Sequence, residues 1–140
     1  MANAIAWDVV HVDESIIENM NILNATLHGM GKALEGVYAK KDFDFVLVDG
    51  DQFHGFEGKN FATIVGGDNK YTSIAAASII AKVHRDNWMK ECEEGKIYGW
   101  ASNKGYGTKQ HIDAIKEHGS CKYHRPSFIS HIVTTTAELF

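Results

Sequence analysis

Two aspartates stand at the ends of apolar runs, where carboxylates could hold divalent cations. Asp49 closes the run Leu47-Val48-Asp49-Gly50. Asp68 follows 19 positions later, between the short apolar run Phe61–Val65 and a helix built from small residues. Carboxylates at the rims of neighbouring elements supply hard oxygen ligands, and divalent cations held in this way cut phosphodiesters in many enzymes. Each Asp alone has an ordinary explanation: Asp-Gly after a strand is a common turn, and an Asp ahead of a helix is a common cap. A pair of them binds one ion weakly and makes a poor cage for two.

Other side chains suit a nucleic-acid ligand. Tyr106 lies between Gly105 and Gly107, with Lys104 and Lys109 close by in sequence. An aromatic ring in such a loop can lie against a sugar while lysines meet phosphates, although it can equally be a half-buried loop residue. Lys82 and Arg85 stand one helical turn apart, and either phosphate contact or pairing with Asp86 would explain them. For Arg85 and Asp86 the structural role is expected. Eight histidines raise the question of zinc, and Cys121 and His124 have a suitable gap, but no second pair stands at zinc-site spacing. His54 and His124 are expected to be surface or core histidines, with an approach to the active edge as the alternative.

These residues need elements to position them. Ala4–Val12 reads as a strand with Ile5, Trp7 and Val9 on one face, followed by Asp13 or Ser15 as a helix cap. From Asn21 to about Tyr38, Leu23, Leu27, Met30, Leu34 and Val37 repeat at helical spacing and predict one buried stripe. Gly29, Gly31 and Gly36 weaken that helix, so tertiary packing must hold it. Phe43–Val48 and Phe61–Val65 read as strands, and Tyr71–Glu93 as a helix that packs closely through Ala75, Ala76, Ala77 and Ser78. Residues 97–107 are irregular. Thr108 caps a last helix with Ile112 and Ile115 inward and Gly119 at its exit. To share one sheet edge, Asp49 and Asp68 require parallel strands, yet only about ten residues join them, fewer than a parallel crossover usually uses.

The chain has 140 residues, 44% of them apolar, and one proline, which fits a single ordered α/β domain. No apolar window is long enough to span a bilayer, no signal peptide is recognisable, and two cysteines suit a reducing cytoplasm, so a cytoplasmic protein without membrane contact is expected. The net charge of −4 is unevenly spread: residues 1–57 hold three Lys against ten Asp and Glu, whereas residues 96–128 hold six basic residues against two acidic ones. That asymmetry permits a phosphate-facing basic surface beside an acidic, metal-binding edge.

The segments NILNATLHGM, LVDGD, GGDNKYTSIAAASIIAKVHRD, YGWASNKGYGTKQH and YHRPSF follow one another as in ribonuclease HII, the type 2 ribonuclease H family, and the chain resembles that family over nearly its whole length. The resemblance implies a ribonuclease H-like mixed sheet with flanking helices, over residues 1–128, with residues 129–140 as a C-terminal extension. It also implies an endonuclease dependent on Mg²⁺ or Mn²⁺ that acts on RNA/DNA hybrids and on ribonucleotides within duplex DNA, in DNA repair and replication. Asp49 and Asp68 match the third and fourth acidic residues of the family's four-carboxylate site. Tyr106 matches the tyrosine that senses the ribose beside the scissile phosphate, with Lys104, Lys109 and Lys82 as candidate substrate contacts.

Three features depart from the family pattern. Asp51 stands where Asn is usual, and Gly66-Gly67-Asp68 replaces the usual Lys-Gly-Asp. The Asp-Glu-Ala-Gly-Arg-Gly motif, source of the first two carboxylates, is not in the sequence. The chain therefore looks like the C-terminal two-thirds of such an enzyme, its N-terminal strands missing. It is expected to show little nuclease activity by itself, and either to self-associate through an exposed sheet edge or to be only marginally stable. A catalytically incomplete hybrid-binding module is the alternative, and a resolvase-like enzyme, which would not need the Tyr106 loop, a weaker one.

Overall fold

The computed structural model describes residues 4–137, with side chains through residue 132. Its elements are α1 (Glu14–Tyr38), β1 (Phe45–Asp49), β2 (Asn60–Ile64), α2 (Thr72–Glu91), α3 (Trp100–Asn103), α4 (Lys109–His118) and α5 (Pro126–Ala137), with a 3₁₀ turn over Gly67–Asn69. The expected α/β class is observed. The chain divides into two compact units, one of residues 1–12 and 22–82, the other of residues 13–21 and 83–140. Helix α1 breaks where they divide: Asn21 has φ 68° and ψ 166°, outside helical geometry.

In the first unit, β1 and β2 pair in parallel, Phe45 opposite Asn60 and Asp49 opposite Ile64. Among the described residues the sheet has these two strands only, where a mixed sheet was expected. Val46 and Val48 are buried, while Phe45 and Leu47, on the other face of β1, are exposed. The short crossover is held by aromatic contacts rather than by a helix. Phe56 packs on Tyr38 and Phe43, Phe53 meets Phe61 edge-on at 5.2 Å between centroids, and Lys59 pairs with Asp42 at 2.7 Å. The ten-residue parallel connection is thus anchored at both ends by its own aromatic and ionic contacts.

Residues 4–12 form no strand, contrary to the alternation of Ile5, Trp7 and Val9, and Ile5 is 86% exposed. Periodicity marks a face, but a strand also needs an edge to pair with. This segment lies instead against the glycines of α1. A Cβ at Gly29 would come within 2.8 Å of Val12, and one at Gly36 would collide with the Asp8 carboxylate. The Lys40 ammonium donates to the Trp7 carbonyl at 2.8 Å and pairs with Asp8 at 3.3 Å. These contacts are the tertiary support that the glycine-rich helix needs. The stripe Leu27, Met30, Leu34 and Val37 is only half-buried and Leu23 is exposed, whereas Ala25 is the fully buried residue of α1.

The second unit has the larger core. Tyr98, Trp100, Ala114, Ile115 and Ile132 are buried together, with Trp88, Met89, Ile112 and Ile129 packed around them. Asp13 opens α1 by accepting the Ser15 amide at 2.8 Å, as expected of a cap. Glu18 then accepts from both the amide and the hydroxyl of Ser127, each at 2.8 Å, and so closes the N-terminus of α5 from 109 positions away. Thr108 caps α4 and Gly119 ends it at φ 77°, both as expected. Helix α5 runs through position 128, where the sequence suggests an extension beginning, and places Ile132 in the core.

Candidate active site

Asp49 is the last residue of β1, and the parallel register sets it beside the end of β2. The chain leaves β2 at Ile64, turns through Gly66 at φ 65°, and enters the 3₁₀ turn that carries Asp68. Both aspartates therefore follow from the C-terminal end of the same strand pair. Asp49 Oδ1 accepts the Gly67 amide at 2.9 Å, which fixes the carboxylate against the turn that presents Asp68. Gly67 is buried, and a Cβ there would lie 2.6 Å from Ile74 Cδ1, so the tip of Ile74 would have to move, and 3.4 Å from Asp49 Oδ1.

Both carboxylates are exposed. Asp68 Oδ1 accepts from the Asn69 side chain at 3.1 Å, and among the described residues its carboxylate bonds to no backbone amide of α2. A helix cap would make such a bond, so the ordinary explanation of Asp68 loses its geometry. Each aspartate is exposed, and the hydrogen bond described for each engages its Oδ1. Two exposed carboxylates with oxygens to spare fit a hard divalent cation as part of its ligand shell. Among the described residues no group of three His, Cys, Asp or Glu is placed to hold an ion, so the pair supplies only a portion of a shell. Cys121 Sγ and His124 Nδ1 lie 3.2 Å apart in the second unit.

Tyr106, Lys104 and Lys109 belong to the second unit. The Tyr106 ring is 67% exposed, with the Arg85 guanidinium 5.9 Å from its centroid. Its backbone is held firmly: the Tyr106 amide donates to the Asn103 carbonyl at 2.9 Å, and its carbonyl accepts the Thr108 amide at 2.8 Å. Buried Asn103 ties this loop to the core by donating to the Tyr98 carbonyl at 2.7 Å and accepting the Gly105 amide at 2.9 Å. Arg85 donates to the Lys104 carbonyl at 2.8 Å, the structural role expected of it. The Lys104 ammonium turns back onto the Ala101 carbonyl, and Lys109 pairs with Asp113 at 2.5 Å. Lys82 is exposed on α2 in the first unit, and His54 is exposed in the loop after β1.

Asn103 and His111 are the supporting residues that the sequence analysis did not single out; His124, expected as a surface or core histidine, is half-buried beside them. His111 is buried, and its ring touches Trp100, His124 and the Tyr106 carbonyl. Burial, and then the neighbouring His111, holds His124 below the usual imidazole range. The available signal was a set of polar residues, Asn103, His111 and His124, interleaved with Tyr98, Trp100 and Tyr123.

The family model described as Ribonuclease HII matches residues 2–131. This chain belongs to the ribonuclease HII family. It is 47% identical over 126 residues to a protein named Ribonuclease HII from Christiangramia forsetii, an alignment covering 89% of this chain and 63% of the relative. Namesakes from Phocaeicola vulgatus and Cytophaga hutchinsonii are 44% and 42% identical, over 89% and 90% of the chain and 62% of each relative. The chain thus spans a little under two-thirds of the length of these relatives. Among the described residues no helix is long and apolar enough to cross a membrane.

Proposed function

We propose that this chain carries part of the site of an endoribonuclease that hydrolyses the phosphodiester on the 5′ side of a ribonucleotide, in RNA/DNA hybrids or within duplex DNA. The observation that carries this reading is the joining of the two aspartates at one strand end: Asp49 is locked to the Gly67 amide, and Asp68 is the next residue along. Asp49 and Asp68 would hold Mg²⁺ or Mn²⁺. Such an ion, when bound, neutralises charge on the scissile phosphate and raises the acidity of water. In the balanced reaction a water oxygen bonds to phosphorus, the bond from phosphorus to the 3′ oxygen breaks, and a proton passes to that oxygen. The products are a 3′-hydroxyl and a 5′-phosphate.

The chain's own residues bind and orient. The exposed Tyr106 ring, on a loop tied to the core by Asn103, suits a sugar that must be tested for its 2′-hydroxyl. Lys104 and Lys109 suit phosphate oxygens on either side, and Lys82, on the first unit, is a further candidate phosphate contact. Lys104 and Lys109 would exchange their present partners, the Ala101 carbonyl and Asp113, for those oxygens. The open two-stranded sheet, with Phe45, Leu47 and Phe61 exposed, also favours self-association through strand pairing.

Incubating the chain with duplex DNA holding one ribonucleotide, in millimolar Mn²⁺ or Mg²⁺, tests the reading. We expect slow nicking 5′ to the ribonucleotide, lost in Asp49→Asn and in Asp68→Asn, with all-DNA duplex untouched. Nicking that persists in both variants would refute the site. A second reading, a hybrid-binding module, is favoured by the absence of a third acidic ligand among the described residues. Tight duplex binding with no nicking at any metal concentration would support it.

A further inference from the structure

The interior of the second unit holds a chain of hydrogen bonds that ends on the Tyr106 backbone. His124 Nδ1 accepts the Cys121 amide at 3.0 Å, so that nitrogen carries no proton. Its Nε2 is therefore the protonated nitrogen and donates to His111 Nε2 at 3.0 Å. The same His111 Nε2 accepts the Trp100 indole N–H at 3.1 Å, so it too is bare. The His111 proton must then sit on Nδ1, 3.0 Å from the Tyr106 carbonyl, to which it donates. The single lone pair of His111 Nε2 is shared between the indole and His124 donors, and no other placement of the two imidazole protons satisfies the backbone and indole donors as well.

We propose that His111 is a positioning residue for Tyr106, held in its Nδ1–H form by Trp100 and by His124. It fixes the carbonyl of the residue whose ring is read as the ribose platform, and in that respect the inference rests on the proposed function. Three features of the structure converge on it. His111 is 5% exposed, which leaves its ring little freedom to turn. The Tyr106 carbonyl already accepts the Thr108 amide at 2.8 Å, so His111 supplies a second donor that pins both lone pairs. Gly105 at φ 78° and Lys104 at φ 54° put the loop in a conformation that side-chain-bearing residues seldom adopt, and such a loop persists when its surroundings over-determine it.

The test compares His111→Asn with His111→Phe. Asn keeps a donor N–H at the position of Nδ1, whereas Phe keeps the ring volume and loses every hydrogen bond. Amide hydrogen exchange at Tyr106 and Thr108 should stay within about twofold of the parent in the Asn variant. It should rise about fivefold or more in the Phe variant, the scale of one lost hydrogen bond, with amides of the last turn of α4 unchanged. Nitrogen-15 imidazole spectra of the unaltered chain should show His111 protonated at Nδ1 only. Equal exchange in both variants, or a proton on His111 Nε2, would overturn the proposal. For function, affinities for a single-ribonucleotide duplex and its all-DNA counterpart are compared in Ca²⁺. Loss of the preference in His111→Phe and in Tyr106→Ala, with retention in His111→Asn, supports positioning. If Tyr106→Ala alone leaves the preference intact, the ribose reading fails, and the exchange and nitrogen-15 results decide the positioning role without it.

Discussion

Asp49 has one observed role and one proposed role, and they separate by substitution. Its Oδ1 accepts the amide of buried Gly67 at 2.9 Å, and its charge is the proposed cation ligand. Asp49→Ala removes both. The Gly67 N–H then lacks its acceptor beneath the turn, a loss of about 1–2 kcal/mol. For a chain of this size that lowers Tm by about 4–8 °C. Asp49→Asn keeps an oxygen at the same place, and the amide loses only the charge-assisted part of its bond, about 0.5 kcal/mol. Thermal denaturation in EDTA should therefore rank Asp49→Asn near the parent and Asp49→Ala well below it, while both lose the stabilisation that added Mn²⁺ gives the parent. Equal destabilisation by the two substitutions would refute the hydrogen-bond role. Retention of the Mn²⁺ effect in Asp49→Asn would refute the ligand role.

Asn103→Ala should cost about 2–3 kcal/mol in urea unfolding, because it strands the Tyr98 carbonyl and the Gly105 amide; a loss under 1 kcal/mol would mean that the loop carries its own weight. Tyr106→Ala should leave stability within about 0.5 kcal/mol, since its ring is mostly exposed. His124 makes stability fall in acid. Its folded-state pKa lies below the ordinary 6.5, from burial first and then from His111, so the unfolded chain takes up the proton first. Stability should be flat in this respect above about pH 6.5 and decline as pH drops below it, and His124→Phe should flatten that decline in urea titrations at successive pH values. Sedimentation should show self-association that a lysine at Leu47 suppresses; a monomer at all concentrations would contradict pairing through β1.

Much of the framework was legible in the residues. Thr108, Gly119 and the periodic Ile112 and Ile115 fixed α4 because capping and helical spacing are local signals. The two short strands were legible for the same reason, and β1 and β2 fall within a residue or two of expectation. Their parallel pairing was less so, since Phe53, Phe56 and Lys59 shorten the crossover through contacts with no sequence period. Residues 4–12 were misread because alternation does not reveal whether an edge is available, and the glycines of α1 offered a different surface. In the site, Asp49 and Asp68 were visible as types at spacings, but the Gly67 amide that joins them was not. The His111–His124 relay was hidden for a similar reason: buried imidazoles are told from surface ones only by their partners.

The central claim is that Asp49 and Asp68 share a divalent cation at the end of β1 and β2. Paramagnetic broadening by substoichiometric Mn²⁺ in amide spectra of the chain tests it directly. Broadening should centre on Gly50 and on residues 67–69, and should vanish in Asp49→Asn and in Asp68→Asn alike. Broadening centred elsewhere, or unchanged by Asp68→Asn, would contradict the account.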